Sequence, residues 1–359
     1  MARSHLTLAA LATSAVADFD PVRSASFSTG EHGDFFAAVV ENAAGRELLV
    51  RVPNSAEAEA QLSSELYALE HMSAGIRSRL AFEVPTVIGR ATIGKTFGLI
   101  FDFLKGTSVS LADFRQDSDV PVSVGRGIAA IHALPTSFVV DASLPVFYAP
   151  EVQKQTRELV DKARATNLLP AALVARWQNA VDDAALWMFE PTVTHGSLNA
   201  DSFLVGEDSL TAVLGWATLR VGDPAWDLHW MINVDLDAQD IAFGAYSAAR
   251  RSAADPKLRQ RATLYSELEL ARWLLHGVEQ KSPEIVDDAI NMLDRLVDSV
   301  HAETSSPIAP GLDEALTVTQ VVELLEDTPG GSQSADPRGD YRGMPPVTDN
   351  QRSSSSLSE

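Results

Sequence analysis

Along the first third of the chain, apolar and polar positions are arranged as a small sheet with one helix would require. Residues 35–52, FFAAVVENAAGRELLVRV, form two apolar runs separated by a polar, Gly-containing stretch, the pattern of two adjacent β-strands. Pro53 ends the second run, since proline has no N–H to give to a ladder. SAEAEAQLSSELYALEHM then places apolar or small residues at helical spacing, with Ser55 positioned to cap the helix. FEVPTVIG and TFGLIFDFL are strand-like again, with Gly94 in the turn between them. The order β-β-α-β-β, closing at Leu104–Gly106, predicts a small mixed lobe over residues 20–105.

From Ser123 onward the period becomes helical. SVGRGIAAIHALP predicts an amphipathic helix stopped by Pro135. Residues 151–188 hold at least two more helices, and 236–302 a helical set with charged outer faces. Between them lie two short apolar runs, SFLVG and TAVLGW. A strand pair this small buries little by itself, so its place inside a helical lobe marks a loop with a job. A helical lobe over 106–327 is therefore expected, with 193–230 as its functional segment. The first 19 residues fit either a short secretory-type leader or a small helix packed on a lobe. Thr7, Thr13 and Ser14 interrupt the apolar stretch and favour the helix. Residues 328–359, rich in Gly, Pro and Ser, are expected to be disordered, and the RGD at 338–340 is read as chance.

Composition narrows the function. The formal charge of −21 opposes nucleic acid as a partner, because phosphate backbones need basic patches. A cationic ligand or a basic protein suits that field better. With no cysteine, disulfides, thiol catalysis and zinc–thiolate sites are excluded. No run approaches a membrane span, so no membrane association and a cytoplasmic location are expected.

The functional segment reads VTHGSLNADSFLV at 193–205 and LGWATLRVGDPAWDL at 214–228. These residues resemble the aminoglycoside and macrolide phosphotransferase family, whose motif runs H-G-D-L-x-x-x-N-x-L-V, then I-D-W, then G-D-P-x-x-D-L. His195, Leu198, Leu204 and Val205 fall on the family positions, and Gly215-Trp216 stands eight residues before Asp223 as the family's aspartate–tryptophan pair does. Upstream, GRELLVRVP, GLIFDFLKG and GIAAIHALP match further family elements, so the resemblance covers residues 20 to 325. It implies an α+β, bilobal, protein-kinase-like fold, with a small β-rich N-lobe over a larger helical C-lobe. It also implies that Arg51 contacts phosphate, that Glu65 pairs with it, and that backbone groups of Asp102, Phe103 and Leu104 meet an adenine.

Phosphoryl transfer needs a carboxylate to orient the acceptor hydroxyl and oxygen ligands for magnesium. Where the family has these, this chain departs from it. The catalytic aspartate is Ser197, the magnesium-binding asparagine is Ser202, and the second metal ligand is Gly215. No catalytic residue of that set is intact and no metal site is expected. Ser197 is no base at neutral pH, and Asp201 or Asn199 could substitute only in a rebuilt loop. His195, Gly196, Asp223, Pro224 and Asp227 remain, which the family uses to hold the loop backbone. The sequence thus points to a pseudokinase serving as a binding or regulatory module, holding ATP or GTP without magnesium, or a small molecule or protein partner. The alternatives are an active ATP- or GTP-dependent phosphotransferase of small-molecule hydroxyls with a rearranged metal site, and a purely structural protein. His132 is read as a cap or core contact. Trp216, Trp226 and Trp230 are read as core before ligand-stacking surface.

Overall fold

The first helix, α1 (His5–Ala15), begins where Ser4 accepts a hydrogen bond from the N–H of Thr7. It lies across a five-stranded sheet built from β1 (Pro21–Phe27), β2 (Phe35–Asn42), β3 (Glu47–Pro53), β4 (Val87–Ile93) and β5 (Thr96–Asp102). The strand order is β1-β2-β3-β5-β4, and each neighbouring pair is antiparallel. This computed structural model describes residues 4–27, 34–207, 209–250, 255–302 and 308, all within the unit Met1–Gly311. The expected disordered tail at 328–359 lies outside the described residues.

Alternation along the strands sorts their side chains between two cores. Ala38, Val40, Leu48, Val50, Val52 and Ile100 face α1 and close over Leu8, Ala9 and Ala12. Burying Leu8 alone contributes about 1.5–3 kcal/mol, whereas Leu6 remains exposed. Leu99 and Phe101 point the other way, to the helix α2 (Ala56–His71). Ser55 caps α2 through the N–H of Ala58, and Glu57 and Glu59 suit its positive N-terminal end. The buried stripe of α2 is Ala58, Leu62, Glu65, Ala68 and Leu69. A glutamate in such a stripe needs a partner.

Strand β1 was not anticipated. PVRSASF is mostly short and polar, and five of its seven positions are exposed, so no alternation marks it; its pairing with β2 creates the strand. The run FEVPTVIG also becomes a strand only from Val87. Pro85 interrupts it, and Glu83 instead bridges in parallel to Ala212 of the other lobe.

After the short α3 (Ala74–Arg77) and β6 (Thr107–Ser108), the larger lobe contains α4 (Val120–His132), α5 (Ser137–Asp141), α6 (Ala149–Ala165) and α7 (Ala171–Asp182). Two small sheets are built here: β7 (Thr192–Thr194) with β10 (Arg220–Gly222), and β6 with β8 (Phe203–Val205) and β9 (Leu210–Val213) in the order β6-β8-β9. Helices α8 (Leu236–Arg250), α9 (Leu258–Gln280) and α10 (Pro283–Ala302) complete it. Trp177, Trp216, Phe203 and Tyr265 anchor its core. The β7–β10 pairing sets residues 193–197 beside 218–223, and α2 packs on the Trp216–Thr218 turn. Segments distant in sequence thereby converge where the two lobes meet. Among the described residues, no helix is long and apolar enough to cross a membrane.

Candidate functional site

The loop after β7 is held from beneath by Asp227. Its Oδ2 accepts the N–H of His195 at 2.7 Å, and its Oδ1 accepts the N–H of Gly196 at 2.8 Å. His132, at the end of α4, brings Nε2 to Oδ2 at 3.1 Å and Nδ1 to the Tyr246 hydroxyl at 2.8 Å. Burial raises the Asp227 pKa, but the hydrogen bond and charge of His132 and the loop amide more than offset it, and the carboxyl stays below its ordinary range. Gly196 adopts φ +90, and a Cβ there would come within 2.5 Å of the Thr218 carbonyl oxygen, so only glycine fits. Its own carbonyl accepts the Trp226 indole N–H at 2.8 Å.

His195 is fully buried against Trp216, with ring centroids 4.7 Å apart. Its Nε2 donates to the Leu214 carbonyl at 2.9 Å, tying the loop to the end of β9. Desolvation lowers its pKa to about 4, so the ring is neutral at pH 7.

The three positions singled out by sequence lie above this floor. Ser197 is exposed, and its Oγ is 2.8 Å from Thr218 Oγ1. Thr218 Oγ1 also lies 2.8 Å from the His195 carbonyl. One hydroxyl has one proton, so when Thr218 donates to that carbonyl, Ser197 donates to Thr218. Ser202 is buried and committed: its Oγ donates to Asn199 Oδ1 at 2.9 Å and accepts the Asn199 N–H at 3.2 Å. Gly215 sits at φ 85, ψ 43, and a Cβ there would meet only His195 Cε1, at 3.9 Å. Asp201 is exposed. Among the described residues, no three of His, Asp and Glu cluster as a metal site would require.

On the small lobe, Arg51 Nη1 meets Glu65 Oε2 at 2.9 Å, joining β3 to α2. Glu65 is buried and Arg51 partly so, with side-chain exposures of 3% and 16%, and the guanidinium lies 4.2 Å from the Phe35 ring centroid. This supplies the partner that the stripe of α2 demands. The strand end beyond β5 is more committed than the sequence implies. The N–H of Asp102 donates to Thr86 O at 3.1 Å, that of Phe103 to Glu47 O at 3.2 Å, and the Asp102 carboxylate pairs with Arg46. Of the backbone groups expected to meet an adenine, the Asp102 and Phe103 amides are thus occupied, and among the described residues the Leu104 amide has no partner.

Asp223 acts on its own turn and on α9. It does not hold the 193–205 loop; it accepts from the Ala225 N–H, from Arg261 at 2.7 and 3.0 Å, and from the Tyr265 hydroxyl at 2.7 Å. It therefore fastens the turn after β10 to α9. Arg261 and Tyr265 sit one helical turn apart on α9, and no motif marks them. Thr218 and Arg220 were also missed, being variable letters between two motif columns.

Similarity to known proteins agrees with this arrangement. The crystal structure of apo macrolide 2'-phosphotransferase MphH from Brachybacterium faecium is 22% identical, with a TM-score of 0.67 over 81% of this chain and 98% of that one. The GDP complex of wild-type aminoglycoside 2'-phosphotransferase-IIIa gives 17% and 0.65 over 81% and 98%. These likenesses show the bilobal kinase-like fold. YcbJ, an uncharacterized protein of Bacillus subtilis (strain 168), is 23% identical over 207 residues; the match takes in 54% of this chain and 65% of YcbJ. The model of the phosphotransferase enzyme family matches residues 27–265, from the small lobe to Tyr265 of α9, and the chain belongs to that family.

Proposed function

We propose that this chain keeps the phosphotransferase scaffold as a cytoplasmic binding or regulatory module and does not transfer phosphate. One observation carries the reading. Ser197, Ser202 and Gly215 stand where the family has its acid–base and metal-binding side chains, and the Ser202 hydroxyl is already satisfied by Asn199. Losing a general acid or base costs about 10²–10⁴ in rate, and a magnesium ion prefers carboxylate oxygens. The scaffold beneath is intact: Asp227 holds the loop, and Arg51 meets Glu65 as phosphate contact requires. Leu104 N–H and Arg51 together would receive a nucleotide without a divalent cation.

Asp201 supports the rival reading, an active small-molecule phosphotransferase with a rearranged metal site, since it is an exposed carboxylate on the loop. That reading requires the Asn199–Ser202 pair to open. Thermal-shift titration of the full chain with ATP and with GTP separates the two. Equal stabilisation with and without magnesium, and no phosphate transfer to hydroxylated acceptors, is expected. Magnesium-dependent stabilisation accompanied by transfer would establish the rival.

A further inference from the structure

Arg220 stands out within the loop's surroundings. It projects from β10 beside Gly196: its Nε and Thr218 Oγ1 both lie within 3.2 Å of the point a Gly196 Cβ would occupy. Thr218 Oγ1 in turn touches the exposed Ser197 hydroxyl. The guanidinium stacks over Trp226 at 5.2 Å and Phe147 at 5.8 Å. Among the described residues its side chain has no hydrogen bond or ion pair. The charge of Asp227 favours the guanidinium and partly offsets its desolvation, but both Asp227 oxygens are bonded to His132 and the loop amides. Arg272 lies 4.6 Å from the same Trp226 ring and is paired to Glu269.

We infer that Ser197, Thr218 and Arg220 form a receptor for a tetrahedral oxyanion, the phosphate group of a small phosphorylated ligand. The inference rests on the preceding reading, that the loop no longer transfers phosphate. Half-burying a cation without a partner is unfavourable, and desolvation is the leading influence on Arg220, pulling its pKa down. An incoming anion offsets that cost. A phosphate offers enough oxygens to accept from a guanidinium fork and from the Ser197 hydroxyl, whose proton turns from Thr218 to the ligand while Thr218 stays on the His195 carbonyl, and its double charge strengthens each bond. In a chain of formal charge −21 this is a local exception, suited to one small anionic group and unsuited to a polyanion.

Calorimetric titration of the full chain with inorganic phosphate, glucose 1-phosphate, glucose and acetate tests this, with intrinsic tryptophan fluorescence as a second readout. Saturable binding of the two phosphates is expected, weakened at least about tenfold in Arg220→Gln and a few-fold in Ser197→Ala, and unchanged in Arg115→Gln, an exposed arginine paired to Asp117 far along the chain. Should Arg220→Gln fail to fold, Ser197→Ala and Arg220→Lys, which keeps the charge and loses the fork, carry the test, each expected to bind phosphate more weakly than the parent. Absence of phosphate binding, equal binding by Arg220→Gln, or acetate binding as tightly as phosphate would overturn the inference. Phosphate transfer from ATP with magnesium sinks the preceding reading instead, and is measured in a separate assay.

Discussion

Asp227 and His132, 95 residues apart in sequence, meet in a hydrogen bond of 3.1 Å with neither side chain exposed. The contact joins the end of α4 to the 3-10 helix Pro224–Asn233, and through the amides of His195 and Gly196 it fixes the loop between them. One carboxylate therefore sets the height of that loop over the cleft floor.

Replacing that carboxylate tests its role. Asp227→Asn keeps the shape but leaves one oxygen where there were two, so one of the His195 and Gly196 amides, or His132, loses its acceptor. A buried amide without its acceptor costs about 1–3 kcal/mol. Urea unfolding followed by tryptophan fluorescence should show a lower midpoint with an unchanged slope. A variant as stable as the parent would mean that the loop does not depend on Asp227.

Acid should unfold the chain through His195 as well. Its folded-state pKa of about 4 lies below the ordinary 6.5, because burial disfavours the charged ring. Between those values the unfolded chain binds a proton that the folded chain refuses, so stability falls as pH drops from 6.5 toward 4, by on the order of 3 kcal/mol. Asp227, whose folded pKa is also depressed, adds loss at lower pH, as it is protonated. His195→Gln removes the first contribution. Its unfolding free energy should vary less with pH from 6.5 to 4 than that of the parent, and parallel curves would refute the assignment.

The sequence makes part of this legible and not the rest, for identifiable reasons. His195, Asp227, Ser197, Ser202 and Gly215 sit in contiguous motif segments, so the resemblance to the family picks them out. The Arg51–Glu65 pair is legible only through the resemblance to the family, and the structure brings the two side chains together. By contrast, PVRSASF becomes a strand only because β2 offers it a partner, a tertiary effect that no local period announces. The occupied amides of Asp102 and Phe103 depend on Thr86 and Glu47. The Asp223–Arg261 contact spans 38 positions. Such information resides in packing, and a single chain of letters does not carry it.

The buried pair on the small lobe separates stability from binding. Arg51→Ala leaves Glu65, 3% exposed, without its cation, and should destabilise the chain by about 3–5 kcal/mol. Replacing both partners together, as Arg51→Met with Glu65→Leu, removes the unpaired charge and should restore most of that loss. If Arg51 also serves a nucleotide phosphate, the double variant should be stable yet unresponsive to ATP in thermal shift. Retained ATP stabilisation would place the phosphates elsewhere.

Introducing carboxylates at positions 197 and 215 is the sharpest probe of the proposed reading. Gly215 occupies the left-handed region, which aspartate tolerates better than most residues at a cost of roughly 1–2 kcal/mol. Space for its side chain exists, since a Cβ there would meet nothing nearer than His195 Cε1 at 3.9 Å. At position 197 the side chain is exposed and meets only Thr218. The double variant Ser197→Asp with Gly215→Asp should therefore fold with a modest drop in Tm and present two oxygen ligands toward a divalent cation. Its ATP-induced thermal shift should become magnesium-dependent, where that of the parent is not. Magnesium dependence in both, or in neither, would mean that these two positions do not decide how the cleft treats a metal ion.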